Sequence, residues 1–292
     1  MHTRLLALAT GWYSTREPEP ILGGDQWTAV KVKSVTPMTP ETSLFRLEVP
    51  RSVLPAAFAS DPSARPILSL FVKEPSLQIQ RAYTPLSAAS FNPRGPAELD
   101  LVVKRYPDGE LSRYMHRLGP GSDLHVRGPS VTWWYRPQDW DEVVFIVGGT
   151  GITPAYQFAN DMLSSGDSAA ARPAVSIVYA SPSPSRIILE QELDELSARD
   201  PEHVKVHYLV DRPDPAGPAP SSPAVSVGLI DLNKVEQALG RKGDGTRRAV
   251  IVCGPDGMIE AVAGPRGRNF SQGRVGGILQ QLGYTEREVV KL

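Results

Sequence analysis

A single cysteine, Cys253, stands in a chain of 292 residues. That excludes an intramolecular disulfide and any cysteine-built zinc site, since each needs further thiols. The five histidines (His2, His116, His125, His203 and His207) show no metal-ligand spacing. His203 and His207 are four apart, but they lie in "HVKVHYLV", an alternating pattern that puts them on one solvated face of a strand. No stretch reaches the roughly 18 apolar residues that span a bilayer. Lysine is sparse, most of the 31 basic residues being arginine, and the formal net charge is only -1. So weak a field favours neither nucleic acid nor an acidic membrane surface, and no nucleic-acid partner is expected.

What is present is an ordinary globular composition, 41% hydrophobic and 22% charged. The length suggests two domains, because single cores stop growing at roughly 250–300 residues. Residues 1–24 carry Arg4 and Arg16, no acid before Glu17 and a small apolar patch, which fits a frayed terminus or a residual targeting segment equally. Residues 25–135 read as short strands broken by turns, among them "TAVKVKSV", "TSLFRLEV", "PILSLFVKE", "AELDLVVKRY" and "DLHVRGP". One helix, 109–119, interrupts them, and the set predicts a Greek-key β-barrel with a cap. Residues 140–292 change rhythm. "EVVFIVGG" is a continuous apolar run, as in a strand buried on both faces. Helices over 153–166, 185–200 and 229–240 then alternate with strands "AVSIVYAS", "VKVHYLVD" and "RAVIVCGP". That order predicts a doubly wound parallel sheet. The proline-rich insert 212–226 reads as a surface loop.

Two glycine turns mark one edge of that sheet. "VGGTGITP" (147–154) leaves a strand and enters a helix, with Pro154 suited to a first helical position. "VIVCGPDGM" (250–258) ends a later strand at the same carboxyl edge, where open α/β sheets bind ligands. Backbone amides in such turns approach phosphates closely, so a dinucleotide site is expected. In the first domain "RAYTPLS" places Arg81 and Tyr83 on one face of a strand, followed by the hydroxyls of Thr84 and Ser87. A guanidinium beside a phenol suits a ligand with both a phosphate and a flat ring, although an edge-strand surface pair would look the same.

Taken in order, R-x-Y-T-x-x-S, a K-x-Y strand (Lys104, Tyr106), "GELS", GGTGITP and CGPxxM span residues 27–292. The ordered set resembles the ferredoxin reductase-type flavoproteins, in their cytochrome b5 reductase branch. The resemblance implies FAD in the first domain and NADH or NADPH in the second. It implies that Arg81 binds the flavin pyrophosphate, with Ala82 (often proline in this branch), Tyr83, Thr84 and Ser87 beside the ring system. Val102, Lys104 and Tyr106 would line the other side, and Gly109, Leu111 and Ser112 would offer phosphate donors. Gly149, Thr150, Gly151, Thr153 and Pro154 would face Cys253, Gly254, Pro255 and Met258 across the nicotinamide. Thr84, Thr153 and Cys253 would touch the reacting rings, with Cys253 equally readable as an inert buried thiol.

Coenzyme choice stays open at this point: Asp211 suits the free ribose of NADH, and Arg186 suits the 2′-phosphate of NADPH. By the same resemblance the chain is an NAD(P)H-dependent flavin oxidoreductase delivering single electrons to a haem protein such as cytochrome b5. The ending "LGYTEREVVKL", with the segment before it, resembles fungal mitochondrial flavoproteins that reduce haem for cytochrome c assembly. From this come the expectations of a mitochondrial location (inner membrane or intermembrane space), peripheral membrane association and a monomer.

Overall fold

The computed structural model describes residues 26–49, 65–91, 98–165, 172–214, 225–240, 242–268 and 271–292. The targeting segment read in 1–24 and most of the proline-rich insert therefore lie outside the described residues.

Six antiparallel strands form the first domain: β1 (Thr28–Thr39), β2 (Thr42–Glu48), β3 (Arg65–Lys73), β4 (Gln80–Tyr83), β5 (Glu98–Lys104) and β6 (Asp123–Tyr135). Their order is β4-β3-β6-β1-β2-β5. Leu86 N–H donates to the Asp100 carbonyl at 3.1 Å, so the chain after β4 reaches β5 and closes the barrel. Alternation explains the inside. Val30 and Val32 of β1, Phe45 and Leu47 of β2 and Leu99, Leu101 and Val103 of β5 are buried together. Outside, Arg46 stands directly opposite Asp100 and holds it through two 2.8 Å hydrogen bonds, the cross-strand pairing that stabilises a sheet face. The short helix α1 (Glu110–Met115) caps the barrel and buries Leu111 and Met115.

The second domain is a six-stranded, all-parallel sheet. Its strands are β7 (Glu142–Gly148), β8 (Ala174–Ser181), β9 (Val204–Val210), β10 (Val225–Val227), β11 (Arg248–Cys253) and β12 (Val289–Lys291). The order β10-β9-β8-β7-β11-β12 reverses between β7 and β11, which opens a crevice at their carboxyl ends. The helices are α2 (Ile152–Ser164), α3 (Glu190–Arg199), α4 (Leu232–Leu239), α5 (Asp256–Ala263) and α6 (Gly277–Gln281).

Three details depart from the sequence reading. The helix expected over 185–200 starts at Glu190, because Leu189 sits at φ 60°, outside helical geometry. Pro154 is the third residue of α2 rather than the first, still within the turn whose amides lack intrahelical acceptors. The edge strands β10 and β12 have three residues each, too few for alternation to show.

The domains share one apolar core. Ile67, Val102 and Tyr135 of the barrel pack with Val143, Phe145, Ile152 and Phe158. Phe158 meets the rings of Trp133, Tyr135 and Phe145 at centroid distances of 6.0, 5.5 and 5.7 Å. Beside this core, α2 reaches across with two polar side chains. Gln157, fully buried, accepts from Leu68 N–H at 2.8 Å and donates to the carbonyls of Leu68 (3.0 Å) and Pro85 (2.8 Å). Asp161 accepts from the Ser87 hydroxyl and from Ala88 N–H, both at 2.8 Å.

Phe158→Ala is expected to cost about 3–5 kcal/mol, read as a lower urea midpoint at an unchanged slope. A loss below about 1 kcal/mol would contradict a shared core. Burial pushes the Asp161 carboxyl up to about 6, against its two hydrogen bonds. A folded-state value above the unfolded one adds stability that is complete in acid and lost as pH rises through about 6. The stability of wild type relative to Asp161→Asn should therefore grow as pH falls from about 7 to about 4. A flat difference across that window would refute the burial.

Candidate functional site

Between the domains lies a cleft of about 790 Å³, within the size range of cofactor sites. One wall belongs to the barrel. Strand β4 and the residues after it contribute Arg81, Ala82, Tyr83 and Thr84, and the end of β5 contributes Val102, Lys104 and Tyr106. The turn into α1 adds Gly109, Leu111 and Ser112. The other wall is the crevice of the parallel sheet: Gly149, Thr150, Gly151, Thr153 and Pro154 after β7, and Cys253, Gly254 and Pro255 after β11. Residues far apart in sequence thus converge on one space.

The two glycine turns touch because Gly151 lacks a side chain. A Cβ there would lie 2.3 Å from the Cys253 carbonyl oxygen, an impossible contact with backbone. Gly149 takes φ 55°, the left-handed region that turns the chain off β7 at no steric cost to glycine. Behind the crevice, the Met258 sulfur packs against Gly148 and its methyl against Gly254.

The barrel wall supplies donors and a neutral ring. The Arg81 guanidinium is exposed and bonds the Gln80 carbonyl at 2.7 Å; among the described residues it has no acid partner. Burial pushes the Tyr83 phenol up to about 12, so it stays protonated. Thr84 Oγ1 is 3.1 Å from Ser69 Oγ, which in turn lies 2.8 Å from Thr132 Oγ1. Lys104 Nζ bonds Glu41 at 3.0 Å and sits 5.7 Å from the Tyr106 ring centre. Ser112 Oγ accepts from Tyr106 N–H and donates to the Gly109 carbonyl, so it holds the turn. Groups on this wall that would suit a phosphate are then the first-turn amides of α1 and the Arg81 fork. An anionic, ring-bearing group such as FAD fits this set: a cationic fork, open amides and an uncharged phenol on one surface. Asp108 and Glu110 also line this end, and Glu110 is drawn toward Arg113 at 3.5 Å.

Four residues assigned to the site from sequence do not line the cleft. Ser87 is held by Asp161 at the domain junction. Arg186 is bound to Glu41 at 3.1 Å. Asp211 is exposed beyond the end of β9, its amide donating to the Ser181 carbonyl. Met258 lies behind the glycines, as described. The Cys253 thiol does line the cleft, but burial pushes it up to about 11, only partly offset by Arg266. It remains a protonated wall group rather than a nucleophile. The Thr153 hydroxyl donates to the Thr150 carbonyl at 3.2 Å and stabilises its own turn.

The lining residues missed from sequence are Ile79, Asp108, Glu110 and Gly148, and from the tail Arg266, Lys291 and Leu292. Lys291 is buried, with Nζ on the carbonyls of Pro265 (2.9 Å) and Arg274 (2.7 Å), and burial pulls its pKa down. Arg266 bonds Asp256 at 3.1 Å and the Leu292 carbonyl. Only the short run "VVK" could have signalled that the tail returns to the sheet as β12.

A barrel with a cationic wall facing a parallel sheet with paired glycine turns defines a two-domain flavin and nicotinamide oxidoreductase. Residues 29–135 match the oxidoreductase FAD-binding domain family and residues 145–264 the oxidoreductase NAD-binding domain family. The chain is 34% identical over 275 residues to the NADH-cytochrome b5 reductase-like protein of Arabidopsis thaliana, covering 94% of this chain and 79% of that one. It is 30% identical over 269 residues to NADH-cytochrome b5 reductase 2 of Lodderomyces elongisporus, covering 92% and 84%. In fold it is similar to the cytochrome b5 reductase domain of Ulva prolifera nitrate reductase, with TM-score 0.68, 24% identity and coverage of 94% and 100%. The chain belongs to the NADH-cytochrome b5 reductase-like branch of the ferredoxin reductase-type flavoproteins.

Arg81→Ala removes the cationic fork of the barrel wall and should yield folded protein without yellow absorbance; full flavin occupancy would overturn the assignment. Gly151→Ala should keep flavin but slow its bleaching by NADH more than about tenfold, because the two turns must separate. Wild-type bleaching in that variant would show that their contact is dispensable.

Proposed function

We propose that this protein transfers reducing equivalents from NADH through FAD to a haem protein of the cytochrome b5 kind. The observation that carries the reading is the single cleft walled by both domains, with Arg81, Tyr83 and Thr84 facing Gly149–Pro154. When bound, FAD supplies an acceptor for hydride from the reduced nicotinamide and passes the electrons on one at a time. The chain's own residues bind, orient and exclude water. Arg81 and the α1 amides would hold the pyrophosphate, and Val102 and Tyr83 would give the ring apolar surface. The glycine turns would admit the nicotinamide flat against it. Tyr83 and Cys253 both stay protonated, so neither introduces a charge beside the rings. Close stacking in a water-poor site is what this step needs, more than a strong base.

NADH rather than NADPH is favoured by the contacts made beyond the carboxyl ends of β8 and β9. Asp214 accepts from Ser185 N–H (2.8 Å) and Ser185 Oγ (2.9 Å). The Ser183 hydroxyl and these donors hold it below the usual carboxylate range. Donors suited to a 2′-phosphate are thus engaged by a carboxylate, while Arg186 is engaged by Glu41. Asp214→Ala should shift the kcat/KM ratio toward NADPH about tenfold; an unchanged ratio would move coenzyme choice elsewhere.

The acceptor is read from the names of the relatives, NADH-cytochrome b5 reductases. Stopped-flow reoxidation with cytochrome b5, cytochrome c and free haemin in competition tests it. Cytochrome b5 should react fastest, and equal slow rates for all three would remove the haem-protein reading. A mitochondrial location belongs to the same proposal, supported by Arg4, Arg16 and the absence of acid before Glu17. A reporter fused to residues 1–24 that stays in the cytosol would count against it.

A further inference from the structure

We propose that Gln157 and Asp161 are positioning residues for coenzyme-to-flavin transfer, clamping the flavin-side segment Arg81–Ser87 to the helix whose first turn forms the coenzyme wall. The inference rests on the proposed function and names two residues that touch neither ligand. Thr153, Gln157 and Asp161 recur every fourth position along α2, so they form one stripe toward the barrel. Thr153 lines the cleft, and the next two members of the stripe bind barrel groups.

The anchor points lie on β3 beside the flavin-side residues and in the chain just after them. Strand β4 pairs with β3 only from Leu70–Tyr83 to Lys73–Gln80, so it leaves Leu68 without a partner on that edge. Gln157 completes the edge, taking both the N–H and the carbonyl of Leu68. Its second amide proton goes to Pro85, the residue after Thr84. Both amide protons and the amide oxygen are then engaged, and the side chain is fully buried. Asp161 holds the same segment two residues later, through Ser87 and Ala88. Ser69, next to Leu68, bonds the Thr84 hydroxyl. Tyr83 and Thr84 are therefore held on one side by the pairing of β4 with β3 and on the other by α2, a helix that begins at the opposite wall. A displacement of about 1 Å between reacting groups can slow a transfer about a hundredfold, so a clamp here sets rate as well as stability.

The variants separate the two roles. Gln157→Leu removes the partner of three backbone groups, and Asp161→Ala removes the acceptor shared by the Ser87 hydroxyl and Ala88 N–H. Asp161→Asn keeps an acceptor for Ala88 N–H and can donate to Ser87 Oγ, so it is the conservative rescue. Two measurements are made: the limiting rate of flavin bleaching by NADH in the flavin-loaded fraction, with the coenzyme dissociation constant from the same titration, and amide hydrogen exchange at Leu68 and Ala88 in flavin-free protein. Gln157→Leu and Asp161→Ala should lower the limiting rate at least about tenfold while the dissociation constant moves less than about threefold. Exchange at Leu68 or Ala88 should rise correspondingly, and Asp161→Asn should restore both readouts. Wild-type limiting rates in the loaded fraction of Gln157→Leu and Asp161→Ala, whatever their melting temperatures, would overturn the proposal. So would unchanged exchange in both. If Gln157→Leu does not fold, the two Asp161 variants decide the matter. Absence of NADH bleaching in wild type would instead sink the proposed function, while the exchange data still report the clamp.

Discussion

A carboxamide with no exposure to water holds two sheets at a set separation. Gln157 pairs with the Leu68 backbone as a missing strand would, and with Pro85 beyond it. An unmade hydrogen bond at such a site costs about 1–3 kcal/mol, so the three bonds define one arrangement of the domains and disfavour others. Phe158, one residue on, fills the apolar side of the same junction among Trp133, Tyr135 and Phe145. Everything in the cleft depends on this. Arg81, Tyr83 and Thr84 face the glycine turns only because α2 is seated on β3.

The cleft itself works by what it omits as much as by what it contains. Gly151 brings the two crevice turns into contact, and the thiol of Cys253 and the phenol of Tyr83 remain uncharged. Cations stand at the margins: Arg81 and Lys104 on the barrel, Arg266 and Lys291 from the tail. Lys104 shares Glu41 with Arg186, Arg266 is engaged by Asp256 and the Leu292 carbonyl, and Lys291 is spent on backbone carbonyls. That leaves Arg81 as the side chain best able to answer an anionic pyrophosphate.

Both folds were legible in the sequence because their signals are local and periodic. Alternation marks β1, β2 and β5, a solid apolar run marks β7, and glycines mark the two turns at the switch point. The barrel wall and the crevice turns were legible as ordered motifs for the same reason. Ser87 was misplaced because a hydroxyl in an extended segment gives no hint of which neighbour takes it, and here Asp161 comes from 74 residues on. The pairing of Arg186 was illegible likewise, its partner Glu41 lying in the other domain. Arg266, Lys291 and Leu292 were missed because a three-residue strand has no period to read. The Thr153–Gln157–Asp161 stripe was not picked out, because polar residues at a spacing of four carry no mark of burial until β3 is placed against them.

The central claim is that both ligands share this one cleft in contact. Anaerobic titration of flavin-loaded protein with NADH tests it most directly, with the visible spectrum followed at each addition. Oxidised flavin absorbance should be lost completely at about one equivalent, as expected for a two-electron hydride donor. Stable yellow protein in excess NADH, or folded protein that takes up no FAD, would contradict it.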